Sequence, residues 1–195
     1  MDSAGTVLRN KLGITDLATL QTAEEKALAR AYRDLLREVR IHTPITSDLL
    51  RRVHARIFGE LYEWAGRWRT VWISKPGITW PAPDFLDANM TAFDRDVLQK
   101  YPASDLVDEG VFCAAVGEIQ GEFLVIHPFR EGNARTIKLA TDLLAAQTGR
   151  PLLAYDQSEA GRQDYLTAAT AAFKRDYAPM IDVIRGAVAR GRNPP

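Results

Sequence analysis

Apolar residues recur along most of this chain every three or four positions, which is the spacing of an amphipathic helix. Residues 20–39 give the clearest example, because Ala27, Ala31 and Leu35 fall on one stripe. Apolar spacing and capping residues together predict further helices over residues 6–12, 46–58, 83–100, 105–126, 131–147, 158–173 and 176–189. We therefore expect a mostly α-helical protein with about eight helices.

Residues 69–80 break the helical pattern. β-Branched and aromatic residues alternate over residues 69–73, a turn is predicted at residues 74–77, and residues 78–80 begin a return strand. This short β-hairpin has few strands to pair with, so its edges would offer free N–H and C=O groups that can bind a segment of another protein. The alternative is a hairpin whose Trp72 and Trp80 merely cover the core.

Residues 105–126 form the most apolar of the predicted helices. Between residues 112 and 126 only Glu118 and Glu122 are charged, and a helix that is apolar nearly all round is buried. His127 follows this helix directly, and the helical pattern returns after residue 133. The polar loop between the two helices would therefore rest on a rigid support.

Composition narrows the choice of partners and compartment. The chain carries 25 basic and 25 acidic residues, so its net charge gives no reason to expect nucleic acid or an anionic membrane as a partner. No apolar run approaches the length of a membrane span. The N-terminus lacks the features of a signal peptide, and the single Cys113 suits a reducing compartment, so we expect a cytoplasmic protein. We expect one domain over residues 1–195, with its core at about 6–187 and a loose tail at 191–195.

The loop and the start of the next helix contain the parts of a phosphate-binding site. The free backbone N–H groups of Gly132, Asn133 and Ala134 can point at one anion, with the positive end of the helix dipole behind them. Gly132 also permits a positive φ and the close approach of a ligand. Arg135 and Lys138 are three positions apart, on one face of the helix, where both can hold further phosphate oxygens.

Two side chains of the loop suit chemistry on a nucleotide. Glu131 supplies the hard carboxylate oxygen that Mg²⁺ requires, and His127, with an unperturbed pKa of about 6.5, is a natural general base at neutral pH. A plainer interpretation is that the histidine caps a helix and that residues 131–133 form a turn and a helix start. Upstream, His54 is interpreted as a structural histidine at the core margin, because no metal ligand lies near it in the sequence.

The loop resembles the signature of the Fic domain family, His-x-Phe-x-(Asp/Glu)-Gly-Asn-Gly-Arg-x-x-Arg. The corresponding run in this chain reads His127-Pro-Phe129-Arg-Glu131-Gly132-Asn133-Ala134-Arg135-Thr-Ile-Lys138. Upstream, residues 53–66 and 69–75 resemble the helix and the flap hairpin of the family. The resemblance covers roughly residues 6–187 and implies a Fic-type helical domain with one short hairpin flap.

The resemblance implies a protein adenylyltransferase that transfers AMP from ATP, with Mg²⁺, to a Ser, Thr or Tyr hydroxyl of a target protein. It implies that His127 is the base and that Glu131 holds Mg²⁺. Asn133, together with the N–H groups of Gly132 and Ala134, would stabilise the charge that builds on the phosphates.

The remaining motif residues and the flap also receive roles from the resemblance. Arg135 and Lys138 would hold the leaving pyrophosphate, and Phe129 would anchor the loop in the core and count among the nucleotide-binding residues. The flap would position the target protein beside the base. It consists of Ile73, Ser74, Lys75, Pro76, Gly77, Ile78, Thr79 and Trp80.

Two motif positions depart from the family pattern and keep other functions open. Ala134 replaces a glycine, so that a methyl group narrows the anion pocket and disfavours positive φ, and Lys138 replaces an arginine, which loses the bidentate fork. One alternative is therefore a Doc-like protein kinase that transfers the γ-phosphate, although Glu131 argues against it. A second alternative is a non-catalytic module that only binds a nucleotide or a protein.

Regulation is also implied by the resemblance. Fic proteins are commonly restrained by a helix that carries (Ser/Thr)-x-x-x-Glu-(Gly/Asn), and neither end of this chain contains such a run. A separate inhibitory antitoxin would then supply the glutamate, and the chain would be the toxin of a toxin–antitoxin pair.

Overall fold

Seven α-helices and one two-stranded antiparallel sheet make up the computed structural model within residues 7–193, the part of the chain that it describes. The helices are α1 (Leu17–Glu38), α2 (Ser47–Phe58), α3 (Leu86–Phe93), α4 (Glu109–Ile126), α5 (Asn133–Gln147), α6 (Glu159–Ala171) and α7 (Ala178–Arg192). The strands are β1 (Ser74–Lys75) and β2 (Ile78–Thr79). The mostly helical fold with one hairpin is confirmed.

Short polar side chains set the starts of most helices. Asp16 accepts a hydrogen bond from the Thr19 N–H at 2.8 Å, so α1 begins at Leu17, three residues before the predicted start. Thr46 caps α2 through the Leu49 N–H at 3.1 Å, as the sequence predicts. The cap of α4 is Asp108, so the predicted start at residue 105 is wrong, because residues 103–105 form a separate 3₁₀ turn.

The predicted helix over residues 6–12 is wrong where the structure describes it. The Asn10 side chain donates to the Leu8 and Ile14 carbonyls and accepts from the Ile14 N–H, which closes a turn in place of a helix. Residue 6 lies outside the described residues. At the other end α7 continues through Arg192, so residues 191–192 are not the predicted loose tail, and residues 194–195 lie outside the described residues.

The main hydrophobic core surrounds α4, which packs against α5, α6 and α7. Eleven of the residues of α4 are buried, among them Phe112, Phe123 and Ile126, as the apolar pattern predicts. Gly117 lets α7 approach closely, since a Cβ there would lie 2.6 Å from Cγ1 of Ile181. No helix within residues 7–193 combines the length and apolarity of a bilayer span.

A second hydrophobic cluster lies between α1, α2 and one face of α5. Leu139 and Leu143 of α5 belong to this cluster, whereas Ile137, Ala140 and Leu144 belong to the main core. The helix that follows the polar loop is therefore packed on two sides, which fixes the direction of its N-terminus.

The hairpin is shorter than predicted. Ser74 pairs with Thr79 and Lys75 with Ile78, while residues 69–73 do not form a strand. Pro76 and Gly77 form the turn, and the φ of 80° at Gly77 is typical of the second central residue of a type II turn. The strand residues are mostly exposed, so the hairpin stands out from the helical body.

Candidate active site

His127 ends α4 and begins the polar loop. Its backbone adopts a left-handed conformation with φ 51° and ψ 58°, and its N–H donates to the Phe123 carbonyl at 2.9 Å. Left-handed geometry is uncommon for a residue with a side chain and turns the chain sharply at a helix end. The plainer interpretation of His127 as a helix cap is thus correct for its backbone, while its imidazole is free for another role.

The His127 imidazole lies in a largely desolvated place. Its Nδ1 is 3.3 Å from the Leu124 carbonyl, and its ring centroid is 4.4 Å from that of Trp80. Because a carbonyl only accepts, Nδ1 carries the proton in this tautomer and Nε2 has a free lone pair. Burial is the main cause that lowers the pKa of His127 to about 4, and the charges of Arg69 and Lys75 lower it further. The ring is therefore neutral at pH 7.

Arg69 and Trp80 connect the hairpin to this loop. The Arg69 side chain donates to the carbonyls of His127, Val71 and Pro81 at 2.9, 2.9 and 2.7 Å. The Trp80 indole donates to the Leu124 carbonyl at 2.9 Å, and Trp80 is only 7% exposed. Trp80 thus covers the core, as in the alternative interpretation of the hairpin, whereas Trp72 is 69% exposed and does not.

Asn133 and Phe129 close the loop on itself. The Asn133 carboxamide accepts from the Phe129 N–H at 2.9 Å and donates to the Phe129 carbonyl at 2.8 Å. The Phe129 side chain is fully buried and stacks on the His54 ring at 3.8 Å. Phe129 therefore anchors the loop in the core, and its buried side chain offers no surface to a ligand. The Asn133 carboxamide is likewise hydrogen-bonded within the loop.

Gly132 is required at the loop's end for two reasons. Its φ is 78°, as predicted, and a Cβ there would lie 2.2 Å from the Phe58 ring of α2. The glycine is therefore required by the nearby Phe58 ring, whereas the sequence predicts the close approach of a ligand. Ala134 is the second residue of α5 and packs on the main core. Its φ is not positive, so the methyl group causes no backbone strain at this position.

His54 supports the loop from α2. Its Nδ1 accepts from the Gly66 N–H at 2.8 Å, so Nε2 carries the proton and donates to the Glu131 carbonyl at 3.1 Å. The side chain is fully buried, and burial is the main cause that lowers its pKa to about 4. The prediction of a structural histidine is confirmed, and its function is to hold the loop.

The N-terminus of α5 offers backbone donors beside the loop. The helix has no side-chain cap, and within residues 7–193 its first N–H with a backbone partner is that of Thr136, which donates to the Gly132 carbonyl. The Gly132 N–H instead donates to Oε1 of Glu131 at 2.8 Å. The donors available for the predicted anion cradle are therefore the first N–H groups of α5. The Gly132 N–H could join them only if the Glu131 carboxylate moved away.

Arg135 lies beside the loop but is already paired. Its guanidinium is 2.6 Å from a carboxylate oxygen of Glu24 on α1, 3.4 Å from Glu131, and stacked over the Phe58 ring. The Tyr62 hydroxyl also donates to Glu24. Two carboxylates thus compete with any phosphate for this arginine.

Lys138 does not accompany Arg135. Its ammonium lies 4.1 Å from the Tyr155 ring centroid and 3.9 Å from that of Tyr165, in a cation–π contact with both. Burial there lowers the pKa of Lys138 to about 8, against the opposing effect of Asp142. The expectation that the two cations share one face of α5 toward the phosphates is wrong in this structure.

In the part of the chain that the structure describes, Glu131 supplies the loop carboxylate that could hold a metal ion. Its side chain is about half exposed, and no group of three or more potential ligands occurs within residues 7–193. This fits Mg²⁺ that arrives with a nucleotide, because Mg²⁺ keeps several waters and is commonly held by one or two carboxylates plus phosphate oxygens. Glu131 would be the residue that holds it.

Sequence reasoning missed the residues that bear on the site from a distance. Glu24 lies 111 positions from Arg135, and its helical stripe shows no feature that predicts the contact. Arg69 is the exception, since a charged residue within a run of β-branched and aromatic residues could have suggested a buried polar link. Its exposed fraction is only 4%.

Comparison with known proteins assigns the same region to one family. The model of the Fic/DOC family matches residues 44–145. The chain is 31% identical over 144 residues to the protein adenylyltransferase VbhT of Bartonella schoenbuchensis. The aligned residues cover 73% of this chain and 30% of VbhT. It is 26% identical over 183 residues to the probable protein adenylyltransferase y4lH of Sinorhizobium fredii, with 92% of this chain and 90% of that protein covered. The chain thus spans nearly all of y4lH but less than a third of VbhT.

Solved structures share the fold. The Fic domain of a cell filamentation protein of Bartonella quintana with bound ADP superposes with a TM-score of 0.77 at 19% identity, over 95% of this chain and 92% of that one. BepC of Bartonella tribocorum with bound AMPPNP gives 0.73 at 19% identity, over 96% and 94%. At these identities the similarity concerns the arrangement of the helices and the hairpin.

Proposed function

The chain belongs to the Fic/DOC family, and from this membership we propose that it is a protein adenylyltransferase, which transfers AMP from ATP to a Ser, Thr or Tyr hydroxyl of another protein. The observation that carries the proposal is the loop between α4 and α5. It holds a neutral imidazole, a half-exposed carboxylate and the first N–H groups of α5, which have no partner within residues 7–193, in one turn. The relatives named above as adenylyltransferases support the same activity.

His127 acts as the base in the proposed reaction. Nε2 takes the proton of the target hydroxyl while that oxygen forms a bond to the α-phosphorus of ATP, and the bond from this phosphorus to the bridging oxygen of pyrophosphate breaks. The Leu124 carbonyl holds the tautomer, and Arg69 fixes the backbone of His127. The nearby negative charge of a bound nucleotide would raise the pKa of His127 from about 4 toward neutrality, where a base is most effective.

Glu131 and the N-terminus of α5 are proposed to neutralise the negative charge of the phosphates. Glu131 would hold Mg²⁺, which supplies charge neutralisation and orientation of the phosphates. The first N–H groups of α5 and its dipole would stabilise the negative charge that builds on the phosphates. Arg135 would release the Glu24 carboxylate and bind the leaving pyrophosphate instead. Lys138 is assigned no part in this step because it lies between Tyr155 and Tyr165.

The hairpin is the proposed docking place for the target protein. The two strands have a single partner each within residues 7–193, so both outer edges can add a strand. Trp72 and Val71, 69% and 40% exposed, add apolar surface directly before it. Arg69 and Trp80 tie both ends of the hairpin to the His127 loop, which would place a strand-paired target segment near the base.

A separate antitoxin is proposed as the regulator, so that this chain would be the toxin of a pair. Its support is the chemistry of Arg135. The guanidinium of Arg135 binds the Glu24 carboxylate at 2.6 Å, so a glutamate side chain fits at the place where a phosphate would go. The antitoxin would supply its own glutamate there.

Transfer from ATP labelled at the α- or at the γ-phosphorus, in a cell lysate with Mg²⁺, tests the proposal. We expect protein labelling from the α-position only, its loss in His127→Ala, and full activity of the matched control His42→Ala, whose side chain is exposed. Label from the γ-position alone would identify a protein kinase. Label from neither, or equal labelling by His127→Ala, would contradict the proposed reaction and favour a binding module.

A further inference from the structure

A trough lies beside the motif loop, and of the residues that line it only Arg69 and Val71 have a part in the function proposed above. It consists of two adjoining cavities of about 540 and 170 Å³ that share Trp64 and Arg130 in their walls. Residues 8–11 and Glu63 line the larger cavity, and residues 67–71 line the smaller one. The trough thus runs from the N-terminal segment, past the loop, to the residues that lead into the hairpin.

The lining of the trough is strongly basic in a chain whose net charge is zero. Of the residues that line the two cavities, five have cationic side chains and one, Glu63, is acidic. Arg69 has its donors bound to backbone carbonyls, and Lys11 is bound to the Gly59 carbonyl. Arg67 donates through Nη2 to the Glu63 carbonyl. Positive charge for a ligand therefore comes mainly from Arg9 and Arg130, with Arg67 in addition.

Arg130 gives the most direct sign of a missing partner. Its Nε is buried and finds no hydrogen-bond acceptor within residues 7–193. Buried polar groups in folded proteins are nearly always hydrogen-bonded, and a buried guanidinium N–H suits a carboxylate best. Arg130 also contributes to both cavities, so an anion bound to it would lie at the middle of the trough.

The other walls are apolar and aromatic. Trp64 lines both cavities, while Trp68 and Val71 line the smaller one. Tryptophan beside arginine is the composition of protein-binding hot spots, where a side chain is desolvated between them. A ligand that combines carboxylates with apolar side chains matches these walls better than a uniformly charged chain such as a nucleic acid.

We infer that this trough binds an acidic segment, with apolar residues among its carboxylates, of the protein that is modified. The inference rests on the proposed function, since it assigns a second contact to the same protein substrate. Val71 lies three residues before β1, so a substrate paired with the hairpin can continue into the trough. The trough would select substrates, while the hairpin sets the position of the hydroxyl.

Peptide binding tests the trough without catalysis. An array of synthetic peptides that combine Glu, Lys, Ser, Leu and Phe is probed with the full chain carrying His127→Ala, and with the same chain after Arg9→Glu and Arg67→Glu. Both arginines are exposed, so the fold should survive their replacement. We expect retention of peptides with Glu beside Leu or Phe, and at least about fivefold weaker binding by the variant in fluorescence anisotropy.

The control is Arg37→Glu, an exposed arginine near the end of α1 that lines neither cavity. It should bind as the parent does, and Arg130→Gln should weaken binding. Equal binding by all variants, equal retention of Lys peptides, or stronger binding of an oligothymidylate of matched length would overturn the inference.

Labelling kinetics separate this inference from the proposed function. In the chain with an intact His127, Arg9→Glu with Arg67→Glu should raise KM for the labelled lysate protein and leave the Kd for ATP unchanged. Unchanged KM with intact labelling would reject the trough and keep the activity. Absence of labelling in every variant, with selective peptide binding intact, would reject the activity and leave a site that only recruits acidic segments.

Discussion

The side chains that support the loop have almost no hydrogen-bonding capacity left for a ligand. His54 uses both ring nitrogens, Asn133 uses both ends of its carboxamide, and Arg69 binds three carbonyls. The groups that remain for a substrate are therefore Nε2 of His127 and the Glu131 and Arg135 side chains, together with the start of α5. Fully satisfied polar contacts of this kind keep a turn in one geometry.

At Arg135 we expect a competition between Glu24 and phosphate. Glu24→Gln keeps the shape of the side chain and its hydrogen bond to Tyr62 but removes the charge that binds Arg135. The Kd for Mg-ATP, measured by calorimetry on His127→Ala protein, should fall by roughly three- to tenfold. Glu25→Gln, an exposed neighbour on α1, is the control and should change nothing. A higher Kd for Glu24→Gln would show that Glu24 positions the arginine for the nucleotide.

Local chemistry of the loop was predictable, and its long-range contacts were not. The positive φ of Gly132 follows from its residue type, and the buried anchor at Phe129 was implied by the resemblance of the loop to the family signature. The direction of Lys138 depends on Tyr155 and Tyr165, which come from later parts of the chain. A helical spacing of three places two side chains on one face, but long side chains then follow whatever packs nearby.

At the scale of elements, α4 and α7 depend on their close approach at Gly117. Glycine usually weakens a helix interior, by about 1 kcal/mol relative to alanine. Here its missing Cβ gives room to Ile181, whose side chain and backbone would lie 2.6 to 3.2 Å from an added carbon. Packing between elements therefore outweighs the helix propensity of the single residue.

Gly117→Ala should lower the free energy of unfolding by about 1–3 kcal/mol, because the backbone of α7 must move away to admit the methyl group. Gly186→Ala in α7 is the matched control. Its added carbon meets only the flexible end of Arg190, at 3.3 Å, so the substitution should be neutral or stabilise by up to about 1 kcal/mol. Urea denaturation of both variants measures the difference. Equal stability of the two would show that α7 yields without penalty.

The elements were predicted best where one face of a helix is buried. The apolar run of α4 and the Thr46 cap of α2 correspond to what the structure shows. The segment at residues 7–12 fails because a single side chain, that of Asn10, offers its backbone other hydrogen bonds. The strands of the hairpin are shorter than their β-branched residues suggest, because Arg69 draws the backbone before them onto the loop.

For the whole molecule, two hydrophobic clusters meet at α5, and three titratable groups that are buried or partly buried have shifted pKa values. His54 and His127 both have pKa values lowered to about 4, mainly by burial. Asp142, also buried, has its pKa raised to about 6, mainly by burial. These groups make the stability of the fold depend on pH, with opposite signs for the histidines and the aspartate.

Between pH 6.5 and 4 the unfolded chain binds protons on His54 and His127 that the folded protein refuses, so stability is lost as the pH falls. His54 alone contributes at most about 3 kcal/mol to this loss. Asp142 opposes it, since the folded state keeps a proton there up to about pH 6. With two histidines against one aspartate, we expect a net fall in the free energy of unfolding toward acid pH.

Urea unfolding at several pH values checks this expectation. His54→Gln should be less stable at pH 7, because the loop loses a fitted support, and should show a shallower decline below pH 6.5. His42→Gln, at an exposed position, should decline as the wild type does. An unchanged slope in His54→Gln would mean that His54 takes up its proton in the folded state without penalty.

The anchoring of the hairpin by Arg69 and Trp80 has a consequence for how the protein can evolve. Both anchors lie outside the strands, and Pro76 and Gly77 at the tip are exposed. A Cβ added at Gly77 would meet no atom of residues 7–193 within 4 Å. Substitutions at the tip, or exchange of the whole tip, would therefore leave His127 and its supports in place. In the proposed function the hairpin would then be an interchangeable module, through which one unchanged loop could serve a succession of different substrates.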